Sequence, residues 1–223
     1  PQTIGTLPID ESTVKNDNAL GKQIWKTQTI YWKRESSYEW LDDKTIDKII
    51  SYSLLESAIQ TPLKIQKKNR KMSDAHIVID WLSSKDEPYF KKEEGILAYG
   101  YGPSPGLGGN VVMNTDNLWL LRKEPLYAKE AKELGYIESF TNPEKKIKFY
   151  DPLHTLKHEA GGHALGLNHI TDLDQEYKAV MYPYYNGLRK FGDADVAYIT
   201  SLYGKAPVSQ IIKNSILARI QGL

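Results

Sequence analysis

Four of the chain's five histidines, His154, His158, His163 and His169, fall within 16 residues, and only His76 lies elsewhere. A neutral imidazole is a common ligand of transition metals and carries protons near neutral pH, so the cluster points to metal or acid–base chemistry. None of the 223 residues is cysteine. That excludes thiol nucleophiles, CxxC redox pairs, thiolate zinc sites and disulfides together, and leaves His, Asp and Glu to hold any metal.

The segment from His158 to His169 reads H-E-A-G-G-H-A-L-G-L-N-H. In a metal-dependent peptidase helix, two His one turn apart face one metal and the Glu beside the first acts on a metal-bound water. A Gly three residues after the second lets the chain turn back with a third His. His163, Gly166 and His169 follow this layout unaltered. His158 and His163 depart from it: they are five residues apart where H-E-x-x-H needs four, with Gly161-Gly162 in place of a single residue. At about 100° per residue, a five-residue step lands about 140° from its start, against about 40° for four. A single π-bulge absorbs one extra residue, and adjacent glycines tolerate it best, so a bulge is expected at Ala160 to Gly162. His154 and His158 are four apart and form a rival metal pair, although no Glu follows His154. The plainest alternative is a set of surface or core histidines without chemistry.

The elements that must position these residues are legible in part. Residues 1–22 lack sustained periodicity and read as an extended arm, and Ile24 to Trp32 read as a strand. A helix follows, capped by Asp42 or Asp43, with Ile46, Ile49, Ile50, Leu54 and Ala58 on one face and Thr61-Pro62 as its stop. Leu63 to Gln66, His76 to Trp81, Ile96 to Tyr101 and Asn110 to Asn114 are further strand candidates, the last two flanking a Gly/Pro-rich loop. The charged stretch 120–150 reads as a surface insertion with a helix around Pro125 to Leu134. Asp151-Pro152 pairs a cap with an N1 proline and opens the helix that carries the histidines. Helices are expected from Asp193 to Tyr203 and from about Val208 to Ile220. The formal charge of +1 argues against general binding to nucleic acid or anionic membrane. No apolar run approaches the roughly 18 residues that span a bilayer. The start at Pro1 without a basic-then-apolar leader suggests a processed or trimmed form.

Beyond the histidines, the chain resembles the metzincin clan of zinc peptidases and, within it, the matrixins, the matrix-metalloproteinase-like group. Ala179-Val-Met181-Tyr-Pro183-Tyr-Tyr185 is similar to the matrixin Met-turn, and Asp195-Val-Ala-Tyr-Ile-Thr-Ser-Leu202-Tyr203-Gly204 to the closing helix. Thr61-Pro-Leu63, Ala75-His-Ile-Val-Ile79 and Gly95-Ile-Leu-Ala98 with Gly108-Gly109 resemble upstream matrixin segments. The resemblance implies an α+β, metzincin-like fold. Its sheet is twisted and mostly parallel, of about five strands with an antiparallel edge strand. It packs on a backing helix and an active-site helix, and a small C-terminal subdomain holds the Met-turn and final helices. Residues 1–223 would form a single catalytic domain: arm 1–22, upper subdomain 23–169 with insertion 120–150, and lower subdomain 170–223.

The function so implied is zinc-dependent endopeptidase action on extended peptides or proteins. His158, His163 and His169 would hold one catalytic Zn2+, with Glu159 as general base. Met181 would form a hydrophobic base, and Asp195 either a helix N-cap or an anchor beneath the Met-turn, while Gly161, Gly162 and Gly166 shape the backbone. Ile96, Leu97 and Ala98 would pair with substrate. His154 would floor the P1′ pocket beside the wall Pro183, Tyr184 and Tyr185, as a hydrogen-bonding floor that favours Leu or Met over long aromatics. Val112 and Tyr99 stand where matrixins carry histidines, so no structural zinc is expected. Asn110 and Asn114 argue against Ca2+, although Asp116 remains. A secreted, monomeric protein is expected, with no nucleic-acid partner and no membrane span. Two other classes compete: a catalytically inactive zinc-binding recognition module, spoiled by the extra Gly, and a structural or adhesive domain without metal.

Overall fold

The computed structural model describes residues 23–68, 75–92, 95–121, 136–138 and 146–221. Strand β1 (Thr29–Arg34) is followed by helix α1 (Asp43–Ala58), which starts where the Asp42 side chain accepts from the Thr45 N–H at 3.0 Å. Then come β2 (Lys64–Lys67), β3 (Ile77–Leu82), the short helix α2 (Tyr89–Lys92), β4 (Ala98–Gly100) and β5 (Asn110–Asn114). These five strands form one sheet of order β2-β1-β3-β5-β4, parallel throughout except that β4 runs antiparallel to β5 along the edge. The fold is therefore α+β with a mostly parallel five-stranded sheet and an antiparallel edge strand, as the resemblance implied. The first strand begins later than its composition suggests, because Trp25 is drawn away to contacts with the histidine segment described below.

Alternation along the strands sends side chains to the two sheet faces. Val111 and Met113 of β5 join the main core with Ile30, Trp32, Ile79 and the apolar face of α1, while Val112 packs on the opposite face with Phe90, Ile96 and Tyr99. A second sheet, of order β6-β8-β7, joins β6 (Leu118–Trp119), β7 (Tyr136–Glu138) and β8 (Lys146–Tyr150). The reading of 120–150 as a surface insertion is corrected at its C-terminal end. Phe149 and Tyr150 are buried, and the Tyr150 ring meets Trp119 and Tyr185 with centroids 6.0 and 5.3 Å apart. The helix expected around Pro125 to Leu134 lies outside the described residues. Helix α3 (Pro152–Glu159) packs beside α1 under the sheet; α4 (Asp193–Tyr203) and α5 (Val208–Gln221) complete the chain, and α5 also lies on α1. No helix among the described residues is long and apolar enough to cross a membrane.

Candidate active site

Helix α3 is capped by Asp151, whose side chain accepts from the Leu153 N–H at 3.0 Å, with Pro152 at its first position. All eight of its residues are buried, His158 and Glu159 forming its last turn. The extra residue is then taken up differently from the expected bulge. Gly161 N–H does bond back five residues to Leu156 C=O at 3.2 Å, but the α-helix does not resume. At Gly162 the backbone leaves helical geometry (φ −107°, ψ −84°) and re-enters as a 3-10 turn, His163–Leu165. Only glycine fits there: a Cβ on Gly162 would lie 2.1 Å from Met181 Sδ and 2.4 Å from the His158 carbonyl. Gly166 ends the turn at φ +93°, where side chains are strained, and the chain reverses toward His169.

The turn is held from outside by two residues, one from the expected first strand and one from the closing-helix motif, for which the sequence carried no sign of this role. The Trp25 indole N–H donates to Ala164 C=O at 2.8 Å, and the Tyr203 hydroxyl donates to Leu165 C=O at 2.8 Å. Two successive carbonyls of a short, irregular turn are thus satisfied by partners more than a hundred and nearly forty positions away, and no local pattern could have linked them.

The result is convergence. One ring nitrogen each of His158, His163 and His169 lies within 4.8 Å of the others, and His169 Nε2 is 3.1 Å from His158 Nε2 and 3.2 Å from His163 Nε2. His158 Nδ1 and His163 Nδ1 each lie 2.7 Å from a carbonyl oxygen, of Val180 and Leu167. Each Nδ1 must therefore carry the proton, so their Nε2 lone pairs face inward. Burial, then the neighbouring imidazoles, pushes the pKa of His158 well down and that of His163 to about 3. Two neutral imidazoles with inward lone pairs and a third ring nitrogen within 3.2 Å of both suit a cation, and three imidazole nitrogens suit zinc. His154 stands apart from this trio, its ring centroid 6.5 Å from that of His158.

Glu159 is wholly buried, and neither carboxylate oxygen has a hydrogen-bond partner among the described residues. Burial alone pushes its pKa well up. Gly100 of β4 covers it so closely that a Cβ there would lie 3.0 Å from Oε2. A buried carboxylate with no partner, on the residue directly after His158, is a group that requires an explanation by function.

The segment after His169 seals the site from below. Met181 is buried against Gly162. Asp195 is not the N-cap of α4, which is Gly192, but stands at its third position: Oδ2 accepts from Val180 N–H and from the cap's own Gly192 N–H, each at 2.8 Å, and Oδ1 accepts from Met181 N–H at 3.0 Å. Ile96, Leu97 and Ala98 lie buried at the start of the edge strand. Pro183 and Tyr185 are half-buried, and Tyr184 is exposed. His154 is fully buried, with Nδ1 2.7 Å from Leu188 C=O and its ring edge-on to Tyr185. Its Nδ1 is therefore engaged by the segment after the wall, while Nε2 is buried without a partner among the described residues. Asn114 and Tyr99 are also engaged elsewhere. The Asn114 amide donates to Ile96 C=O at 3.0 Å and its oxygen accepts from Asp116 N–H, while the Tyr99 hydroxyl donates to Glu87 at 2.8 Å.

Comparison with known proteins agrees with this architecture. The matrixin peptidase family model matches residues 24–204. The chain is 26% identical over 189 residues to the macrophage metalloelastase of Oryctolagus cuniculus, covering 82% of this chain and 34% of that protein. It is 28% identical over 191 residues to the matrilysin of Felis catus, covering 83% and 62%. Against the stromelysin-1 of Equus caballus the identity is 31% over 119 residues, covering 51% and 19%. The chain thus spans about a third of the length of the first of these relatives.

Proposed function

The chain belongs to the matrixin family, a family of zinc metalloendopeptidases, and on that premise we propose that it is itself an active zinc endopeptidase acting on extended peptides or proteins. The observation that carries this reading is the convergence of His158, His163 and His169 beside the unpartnered Glu159 carboxylate. Those three imidazoles would hold the zinc. When bound, zinc supplies Lewis acidity, acidifying the attacking water and polarising the scissile carbonyl. Glu159 accepts the proton of that water and delivers it to the leaving amine nitrogen, a role suited to a buried carboxylate whose affinity for protons is raised. Val180 and Leu167 carbonyls keep the two helix-side imidazoles oriented.

An extended substrate would lie along the free edge of β4, exchanging main-chain hydrogen bonds near Ile96 to Ala98. Pro183, Tyr184 and Tyr185 would wall the pocket on the other side, positioned by His154. Convergence despite the extra residue supports the active reading over an inactive recognition module. Matrixin relatives point to a secreted, extracellular protein. The test is turnover of a generic quenched peptide library by the zinc-loaded chain, compared with Glu159→Gln. The variant is expected to keep the fold and the zinc and to lose at least a thousandfold in kcat. Equal turnover by a zinc-loaded Glu159→Gln protein would remove Glu159 from the mechanism, and a wild type that binds zinc without cleaving would favour the recognition module.

A further inference from the structure

Three side chains on or capping α3, spaced three residues apart, close on two consecutive residues of the segment that follows the wall. Asp151 pairs with the Arg189 guanidinium, His154 Nδ1–H donates to Leu188 C=O at 2.7 Å, and Lys157 Nζ donates to Arg189 C=O. The segment is tied from within as well, since Leu188 N–H donates to Asn186 Oδ1, whose amide donates to Ala179 C=O. Lys157 is the unexpected member. It is wholly buried, ion-paired to Glu56 of α1, with its ammonium 4.5 Å from the centroid of the Tyr52 ring.

A buried ion pair is weak support for a fold, because an apolar pair of like volume commonly packs as well or better. Leu153 and Leu156 already fill the apolar side of this helix. What lysine adds, and methionine could not, is a donor for a main-chain carbonyl of the neighbouring segment. The same helix ends in His158 and Glu159, so a bond made at Lys157 registers the segment against the reacting groups one residue further on.

We infer that Lys157 is a positioning residue which, with His154 and Asp151, locks Leu188 and Arg189 onto the histidine-bearing helix and thereby fixes the wall Pro183 to Tyr185 and the discrimination between P1′ side chains. This rests on the reading that the wall borders a peptide cleft.

Three variants of the full, zinc-loaded chain separate positioning from stability: Lys157→Met, Glu56→Gln, and Lys157→Met with Glu56→Gln. Each is measured for chemical denaturation, for kcat and KM on a peptide series varied only at P1′, and for amide exchange across residues 186–191. Lys157→Met should be destabilised by its orphaned glutamate and the double variant should recover, yet both should lose at least tenfold of the spread in kcat/KM across the series, through KM. Both should exchange at least tenfold faster across the segment. Glu56→Gln should be destabilised while keeping the ranking, because the bond to Arg189 survives. A double variant with wild-type ranking and exchange overturns the inference, as does a Glu56→Gln protein that flattens the ranking as far as Lys157→Met. If the wild type cleaves nothing, the peptidase reading fails separately, and unchanged exchange in the Lys157→Met proteins would still overturn the lock.

Discussion

Asp195 offers the sharpest test of how the site is held. Its carboxylate is fully buried and accepts three main-chain N–H groups, from Val180 and Gly192 on Oδ2 and from Met181 on Oδ1. Burial raises its pKa, and the three N–H groups act in the opposite direction. Replacing it with alanine strands three buried donors. At about 1–2 kcal/mol each the loss is about 3–6 kcal/mol, less the desolvation that the carboxylate no longer suffers, leaving about 3 kcal/mol. Asparagine should lie between. With its oxygen in the place of Oδ2 it keeps Val180 and Gly192, and its amide opposes only the Met181 N–H, for a loss of about 1–2 kcal/mol. Urea denaturation of the metal-free proteins at pH 7 measures both without added metal masking the difference. A second consequence follows from the Val180 peptide, whose carbonyl orients His158. Zinc affinity of the alanine variant should fall about tenfold to a hundredfold in a chelator competition. If asparagine proves no better than alanine, or alanine costs less than about 1 kcal/mol, the hydrogen-bond reasoning is wrong.

Gly162→Ala should destabilise the protein by about 1–3 kcal/mol and weaken zinc binding, because its methyl meets the His158 carbonyl as well as Met181 Sδ; wild-type zinc affinity would show that the turn yields freely. Trp25→Phe and Tyr203→Phe should each cost about 1 kcal/mol and lower zinc affinity, since each leaves a carbonyl of the His163 turn without its donor; calorimetric zinc titration checks both. His154 supplies a pH dependence. Burial lowers its pKa to about 4 from an ordinary 6.5, so the native state binds fewer protons than the unfolded chain between those values. Its contribution is present above pH 6.5 and is lost as pH falls toward 4, about 3 kcal/mol in all. The stability gap between wild type and His154→Leu should shrink accordingly between pH 7 and pH 4.5, and a constant gap would contradict the shift.

How much of this was legible in the sequence depends on how far apart the interacting residues lie. Helix α1 could be read from the spacing of Ile46, Ile49, Ile50 and Leu54 and from Asp42, because helix periodicity and capping involve residues within one or two turns. The start of β1 could not, since Trp25 is claimed by Ala164, 139 positions away. The end of 120–150 was misjudged for a related reason: charge content suggested a surface, but Phe149 and Tyr150 are placed by pairing with β6. The histidine segment lies between these cases. Residue order nominated His158, Glu159, His163 and His169, and geometry on a regular helix would have separated the first two imidazoles. The expected remedy was a defect inside one continuous helix.

The observed remedy is to end the helix and start a new short turn. A π-bulge would have kept the main-chain ladder largely intact. The carbonyls of Ala164 and Leu165 lie in the last turn before Gly166 and have no helical partners, so donors must come from elsewhere. Trp25, ahead of the first strand, and Tyr203, at the end of α4, supply them. The position of His163 thus depends on both ends of the family-matched region at once. The metal-binding geometry should accordingly be lost together with either end, so removal of residues 1–25 should weaken zinc binding as far as Trp25→Ala does. A truncated chain with undiminished affinity would mean the turn is stable on its own and that the two outer bonds are incidental.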